Sequence, residues 1–135
     1  MIRIVLSIFV VLHGLVHLLY VGHSRRIFEL QPGMVWPDGS WAFSRILGDE
    51  GARLLSAVLL VLAAVGFVAG GAAIFFRQAW WRPVVVGAAA FSAAIFVLFW
   101  DGAWQNLDDK GAIALLINTA ILVAVLVFQW PDFGF

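Results

Sequence analysis

There is no cysteine among the 135 residues, which excludes disulfides, thiolate metal sites, thiol redox chemistry and covalently attached c-type haem. Charge is also scarce. Asp, Glu, Lys and Arg make up 12% of the chain, where a soluble domain carries about a quarter. The eight basic and eight acidic residues cancel; with no basic run, nothing favours a nucleic acid partner. No Walker loop, nucleophile elbow, His-Glu-x-x-His or glycine-rich dinucleotide fingerprint occurs, so no complete catalytic motif is present. What remains is apolar: 64% of the residues are hydrophobic, and an outer surface this poor in charge is expected to meet the lipid bilayer.

The apolar residues fall into four runs, at about 2–22, 52–76, 83–100 and 111–130. A spanning helix needs roughly 20 such residues, and tilted barrel strands need only about 10. The runs are continuously apolar, so they predict helices. The expected fold is therefore all-α: an integral membrane four-transmembrane-helix bundle forming one domain, 1–135, with a long loop at 23–48. The first run follows Met1-Ile2-Arg3 like a signal peptide, but it holds two histidines and lacks a convincing small-residue cleavage site, so it reads as a retained helix. Asp49-Glu50 and Asp108-Asp109 are expected to cap the second and fourth helices. Pro83 suits a first helical turn, and Pro131 closes the last helix. Trp80, Trp81 and Trp130 are placed at one membrane face and Trp36, Trp41, Trp100 and Trp104 at or beyond the other, as an aromatic belt.

Within the long loop, Gln31-Pro32-Gly33 and Pro37-Asp38-Gly39 are turn signals. Ser40 to Leu47 predicts a short interfacial helix capped by Ser40 and stopped by Gly48. The loop is expected either to lid the bundle end or simply to tether the first two helices. The purely basic connection Arg77–Arg82, set against a mainly acidic opposite side, favours cytoplasmic termini in a bacterial cytoplasmic membrane. Small residues mark the helix contacts: Gly66-x-x-x-Gly70 in the second run, Ala88/Ser92, Ala89/Ala93 and Ala90/Ala94 in the third, and Ala120/Ala124 in the fourth. These rows predict tight packing of the second and third helices, or a homo-oligomer face.

His13-Gly14-Leu15-Val16-His17 carries the chemistry. Residues four apart on a helix lie about 40° apart in projection and about 6 Å along the axis, so both imidazoles share a face. Tyr20 and Ser24 continue that stripe. By residue count His13 and Asn118 reach similar depths, roughly 12–13 Å from the loop-side end. A polar funnel is expected to narrow from that surface, where His17, His23, Glu50, Arg53, Asp101 and Asp109 gather, down to His13 and Asn118. Ionisable groups at such depth are costly and usually functional. Three readings follow. His13 and His17 hold a metal, with Asp101 or Glu50 completing the shell; with no thiolate, copper, zinc or iron are admissible. Alternatively, one histidine ligates b-type haem. In the third reading the histidines bond to Asn118, Tyr20 or a backbone carbonyl and fasten the bundle. Asp49, Asp108, Asp109 and Asp132 read as caps or solvated charges, and Arg53 as a snorkelling or acid-paired side chain.

With His-Gly-x-x-His in the first helix, Trp100-Asp101 leading to Lys110-Gly111-Ala112-Ile113, and Asn118 in the fourth, the chain resembles a group of small bacterial four-helix membrane proteins. It is also similar in layout, more distantly, to DoxX-like proteins. The resemblance implies a fold rather than an activity, and it marks His13, His17, Asp101, Lys110 and Asn118 as positions of interest.

Taken together, these features point to a small membrane bundle with a ligand-binding or redox-accessory site built on His13, His17 and Asn118. The alternatives are a structural or assembly subunit of a larger membrane complex and an oligomeric transporter component. Bound metal or a Soret band in the purified protein would separate the first from the others.

Overall fold

The computed structural model describes residues 1–135. It is all-helical: α1 (Ile2–Ser24), α2 (Ser44–Phe75), α3 (Trp81–Leu98) and α4 (Ala112–Leu122), the last running on through a π-helical turn at Val123–Val127. The helices α1, α2 and α3 are long and apolar enough to cross a membrane; α4 with its extension is apolar but shorter. Successive helices run up and down, so the termini and the α2–α3 turn share one end. There Arg3 donates to the Phe75 carbonyl and Arg82 to the carbonyls of Gln129 and Pro131.

The buried face of α1 is polar. Its inward residues include Ser7, His13, Gly14, His17, Tyr20, His23 and Ser24, while its leucines, isoleucines and valines mostly face out. Ser7 Oγ donates to the Gly71 carbonyl (2.7 Å) near one end of the α1–α2 seam. Near the other end, Ser24 Oγ lies 2.8 Å from the Arg53 carbonyl and 2.7 Å from Ser56 Oγ. Between them, Gly14 lets the two backbones touch: a Cβ there would stand 2.6 Å from Phe67 Cβ. The expected contact of the second and third helices is also present, with Gly70 against Val85 and Gly66 against Ala88.

Several local expectations are corrected. The short loop helix is not separate but joins α2 through a break at Gly48 (φ 72°, ψ 170°), a left-handed conformation that favours glycine. Ser40 Oγ does accept the Phe43 N–H at the start of this segment (3.3 Å). Asp49 caps nothing; its carboxylate accepts the Gly39 N–H of the loop (2.9 Å). Asp108 and Asp109 lie in a 3₁₀ turn, Leu107–Lys110, and α4 starts after Gly111 without a side-chain cap. Trp36 and Trp81 are not belt anchors. Each is 4% exposed or less, Trp36 packing on Tyr20, Phe96 and Phe99 and Trp81 on Phe133. Trp36 sits in a loop folded back on the bundle, where its indole buries more apolar area than at an interface, and Phe133 of the chain end packs over Trp81 at the start of α3. Trp41, Trp80, Trp104 and Trp130 remain exposed, as an interfacial role requires.

Gly14→Ala is therefore expected to destabilise the protein by about 1–3 kcal/mol through overpacking. Gly87→Ala, on an open stretch of α3, should be neutral or stabilising by up to about 1 kcal/mol. Unfolding of both variants in detergent, followed by circular dichroism, checks this; equal stabilities would contradict the α1–α2 seam.

Candidate functional site

The first polar cluster lies at mid-helix, where α1, α3 and α4 meet. His13 Nε2 lies 2.8 Å from Asn118 Oδ1. Asn118 Nδ2 donates to Ser92 Oγ (2.7 Å). Ser92 Oγ lies 2.6 Å from His17 Nε2, and His17 Nδ1 lies 2.8 Å from the His13 carbonyl. All four residues are at most 5% exposed.

Two groups fix the direction of every bond. A backbone carbonyl only accepts, so His17 carries its proton on Nδ1 and offers a lone pair at Nε2. Asn118 has its amide nitrogen on Ser92, so its oxygen faces His13 and His13 must donate from Nε2. Ser92 then accepts from Asn118 and donates to His17. One orientation of each side chain gives a closed ring with both imidazoles neutral and each group matched. Turning the Asn118 amide would force His17 to donate from both nitrogens and so become a cation in an apolar interior.

This arrangement brings His13, His17 and Asn118 together as the sequence predicts, and adds Ser92, a member of the Ala88/Ser92 small-residue row. A lone hydroxyl in a run of Ala, Val and Phe was the available signal. Asp101 is not part of the cluster. It is ion-paired with Lys110 (3.0 Å) near the loop end and accepts the Ala103 N–H (2.9 Å). No three histidine and carboxylate side chains gather in a group that could hold a metal ion. Of the four imidazole nitrogens of His13 and His17, three are engaged and only His13 Nδ1 has no hydrogen bond within the chain.

The expected funnel is interrupted. Tyr20, Trp36 and Phe96 form an aromatic layer, with Phe96 and Tyr20 centroids 5.1 Å apart and Phe96 and Trp36 5.6 Å apart. Phe96 also packs on His17 at 6.1 Å. On the loop side of this layer is a separate polar chamber of about 280 Å³, lined by Trp36, Asp38, Asp101, Asn106, Asp109 and Lys110 among others.

The long loop supplies one wall of this chamber and is pinned at many points. Arg26 donates to the carbonyls of His23, Val35 and Trp36 and to Asp38. Arg53 also grips Asp38 (2.6 Å from Nε), as an acid-paired reading of that arginine expects. Ser40 donates to the Leu98 carbonyl (2.7 Å) and the Trp41 indole to that of Val97 (2.7 Å). Three buried polar groups are left over, the Ser44 hydroxyl among them. His23 Nδ1 accepts the Leu30 N–H (3.2 Å), so Nε2 bears the proton and has no partner; the Trp36 indole N–H has none either.

Comparison with protein-family models, curated proteins and solved structures finds no match to this chain.

Ser92→Ala removes a donor and an acceptor at once, leaving Asn118 Nδ2 and His17 Nε2 unmatched. It is expected to cost about 1–3 kcal/mol for each unsatisfied group. Adding Asn118→Ala should cost less in the Ser92→Ala background than in the wild type, because the two share the ring. A double-mutant cycle by detergent unfolding measures the coupling, and strict additivity would rule the ring out.

Proposed function

We propose that the chain is a small four-span bacterial inner-membrane protein with cytoplasmic termini, and that it binds a ligand in the loop-walled chamber at the polar end of its bundle. On this reading the histidines serve as scaffold. The observation that carries it is the chamber itself: about 280 Å³ of space lined by three carboxylates and a lysine. A concave site with a few convergent charged and polar groups is where a ligand is held and oriented. The ligand reading is further supported by the loop, which is held down by charge-assisted bonds that would keep its side of the chamber shaped.

A site centred on His13 and His17, for copper, zinc, iron or b-type haem, has less support. Binding there would have to displace a hydrogen bond from every imidazole nitrogen except His13 Nδ1. A structural or assembly role in a larger membrane complex, or a transporter role in an oligomer, rests on exposed apolar faces that lipid would cover equally well.

Native mass spectrometry of the full-length protein, together with elemental analysis, tests the proposal. The wild type is expected to retain a bound non-protein mass without stoichiometric metal. Asp101→Asn and Lys110→Gln, which alter a partly exposed ion pair worth little to stability, should lose that mass while keeping the fold. Ser92→Ala, where it folds, should keep it. Metal or haem lost on His13→Leu and His17→Leu, or a bound mass indifferent to Asp101 and Lys110, would overturn the assignment.

A further inference from the structure

Lys110 borders two cavities. On one side is the polar chamber; on the other is an apolar groove of about 260 Å³ between the end of α3 and the start of α4, lined by Phe96, Val97, Trp100, Trp104, Leu107 and Leu115. A polar cavity and an apolar one that meet at a single cation fit a ligand with one charged end and one hydrocarbon end.

The charges of the chamber specify the polar end. Its carboxylates are Asp38, Asp101 and Asp109, and the cations against them are Arg26 and Arg53 on Asp38 and Lys110 on Asp101. Pairing leaves Asp109 as the one lining carboxylate without a cation and Lys110 as the one lining cation, so the site can meet a positive and a negative group of the same ligand. Capacity for further hydrogen bonds lies on both sides. Asp109 has no cationic partner, and Asp101 uses only Oδ1 in its bonds to Lys110 and Ala103. Both can accept from an ammonium. As a donor, Lys110 keeps an N–H beyond those given to Asp101 and the Ala103 carbonyl, which suits a phosphate oxygen.

We infer that the site takes a phospholipid with a phosphoethanolamine headgroup, its primary ammonium on Asp101 and Asp109, its phosphate at Lys110, and an acyl chain in the α3–α4 groove. The inference rests on the chamber being a ligand site, as proposed above. The ammonium must be primary, because a quaternary choline has no N–H to donate to the carboxylates. The exposed Trp104 and the half-buried Trp100 at the groove suit the depth at which a glycerol backbone would lie.

The test uses full-length protein in nanodiscs of equimolar phosphatidylethanolamine, phosphatidylcholine and phosphatidylglycerol, with retained lipids read by native mass spectrometry after release. Phosphatidylethanolamine is expected to be retained at least about tenfold over each of the others, a difference of about 1.4 kcal/mol. Leu115→Trp, which fills the groove, should lower retention by a similar factor, and Ala112→Leu is the second groove variant should the first fail to fold. Lys110→Gln should abolish the preference. Free phosphoethanolamine at millimolar concentration should not displace the lipid; if it does so as readily as the lipid itself binds, the groove contributes nothing and the inference fails. Equal retention of the ethanolamine and choline lipids would also overturn it. If a small polar solute is retained instead and lost in Lys110→Gln, the amphiphile inference fails while the chamber reading stands. If Lys110→Gln changes no bound mass at all, both fail.

Discussion

The Ser92 hydroxyl is the group on which the interior depends. It receives the Asn118 amide N–H from α4 and passes its own proton to His17 on α1, so one side chain on α3 ties three helices together. Water is not at hand in an apolar interior to satisfy a polar atom that loses its partner, and each such loss carries a full desolvation penalty. The ring answers this by being directional. Its fixed points are the His13 carbonyl, which can only accept, and the Asn118 amide, which presents one donor and one acceptor to different partners. Every proton position follows from those two, and both imidazoles stay neutral. His13 to Asn118 is also a direct tie between the first and last helices, and α4 has only 11 α-helical residues with which to hold its place.

Above the ring, Tyr20, Trp36 and Phe96 divide the molecule into a dry half and a polar end. The division has a physical logic. Charges close to the histidine ring would bias its tautomers, and an aromatic layer keeps the ion pairs of Asp38 and Asp101 on the far side. Arg26 and Arg53 both converge on Asp38, which anchors the long loop over the bundle end at a point where burial is only partial and the desolvation cost of the ions is modest. The loop then places Met34 and Trp36 in the core next to Tyr20 and Phe96. It is thus as much a part of the packing as the helices it joins.

The helices themselves could be read from runs of apolar residues, because that signal is local and repeats along the chain. The shared face of His13 and His17, and the meeting of His13 with Asn118, followed from helical period and depth alone. Other features depended on information that period does not contain. Ser92 reads as one more small residue until the rotation of α3 is known. Trp36 reads as an anchor until the loop is known to fold back. Asp49 and Asp108 have the residue type of a helix cap, but the chain puts a glycine break before one and a 3₁₀ turn around the other, and each carboxylate is left to the loop or the surface. The same limit applies to Asp101. Its place at the end of a helix left open whether it turns inward to the histidines, and the answer lies with Lys110, nine residues further on.

Between the two polar regions lies Phe96, packed on His17 on one side and on Trp36, which lines the chamber, on the other. Phe96 lies one helical turn beyond Ser92, so the bonds that set the rotation of α3 also set the direction of Phe96. That ring packs on His17 and Tyr20 beneath the chamber and also lines the apolar groove beside Lys110. Gly111 fits against it: a Cβ there would collide with the ring, and its φ of 86° is one that glycine adopts without strain. The start of α4, and with it Lys110, is therefore positioned against a side chain whose own orientation comes from the histidine ring. A ring of neutral groups with no direct access to the chamber is thus connected, through one phenylalanine, to Lys110 at the chamber's edge.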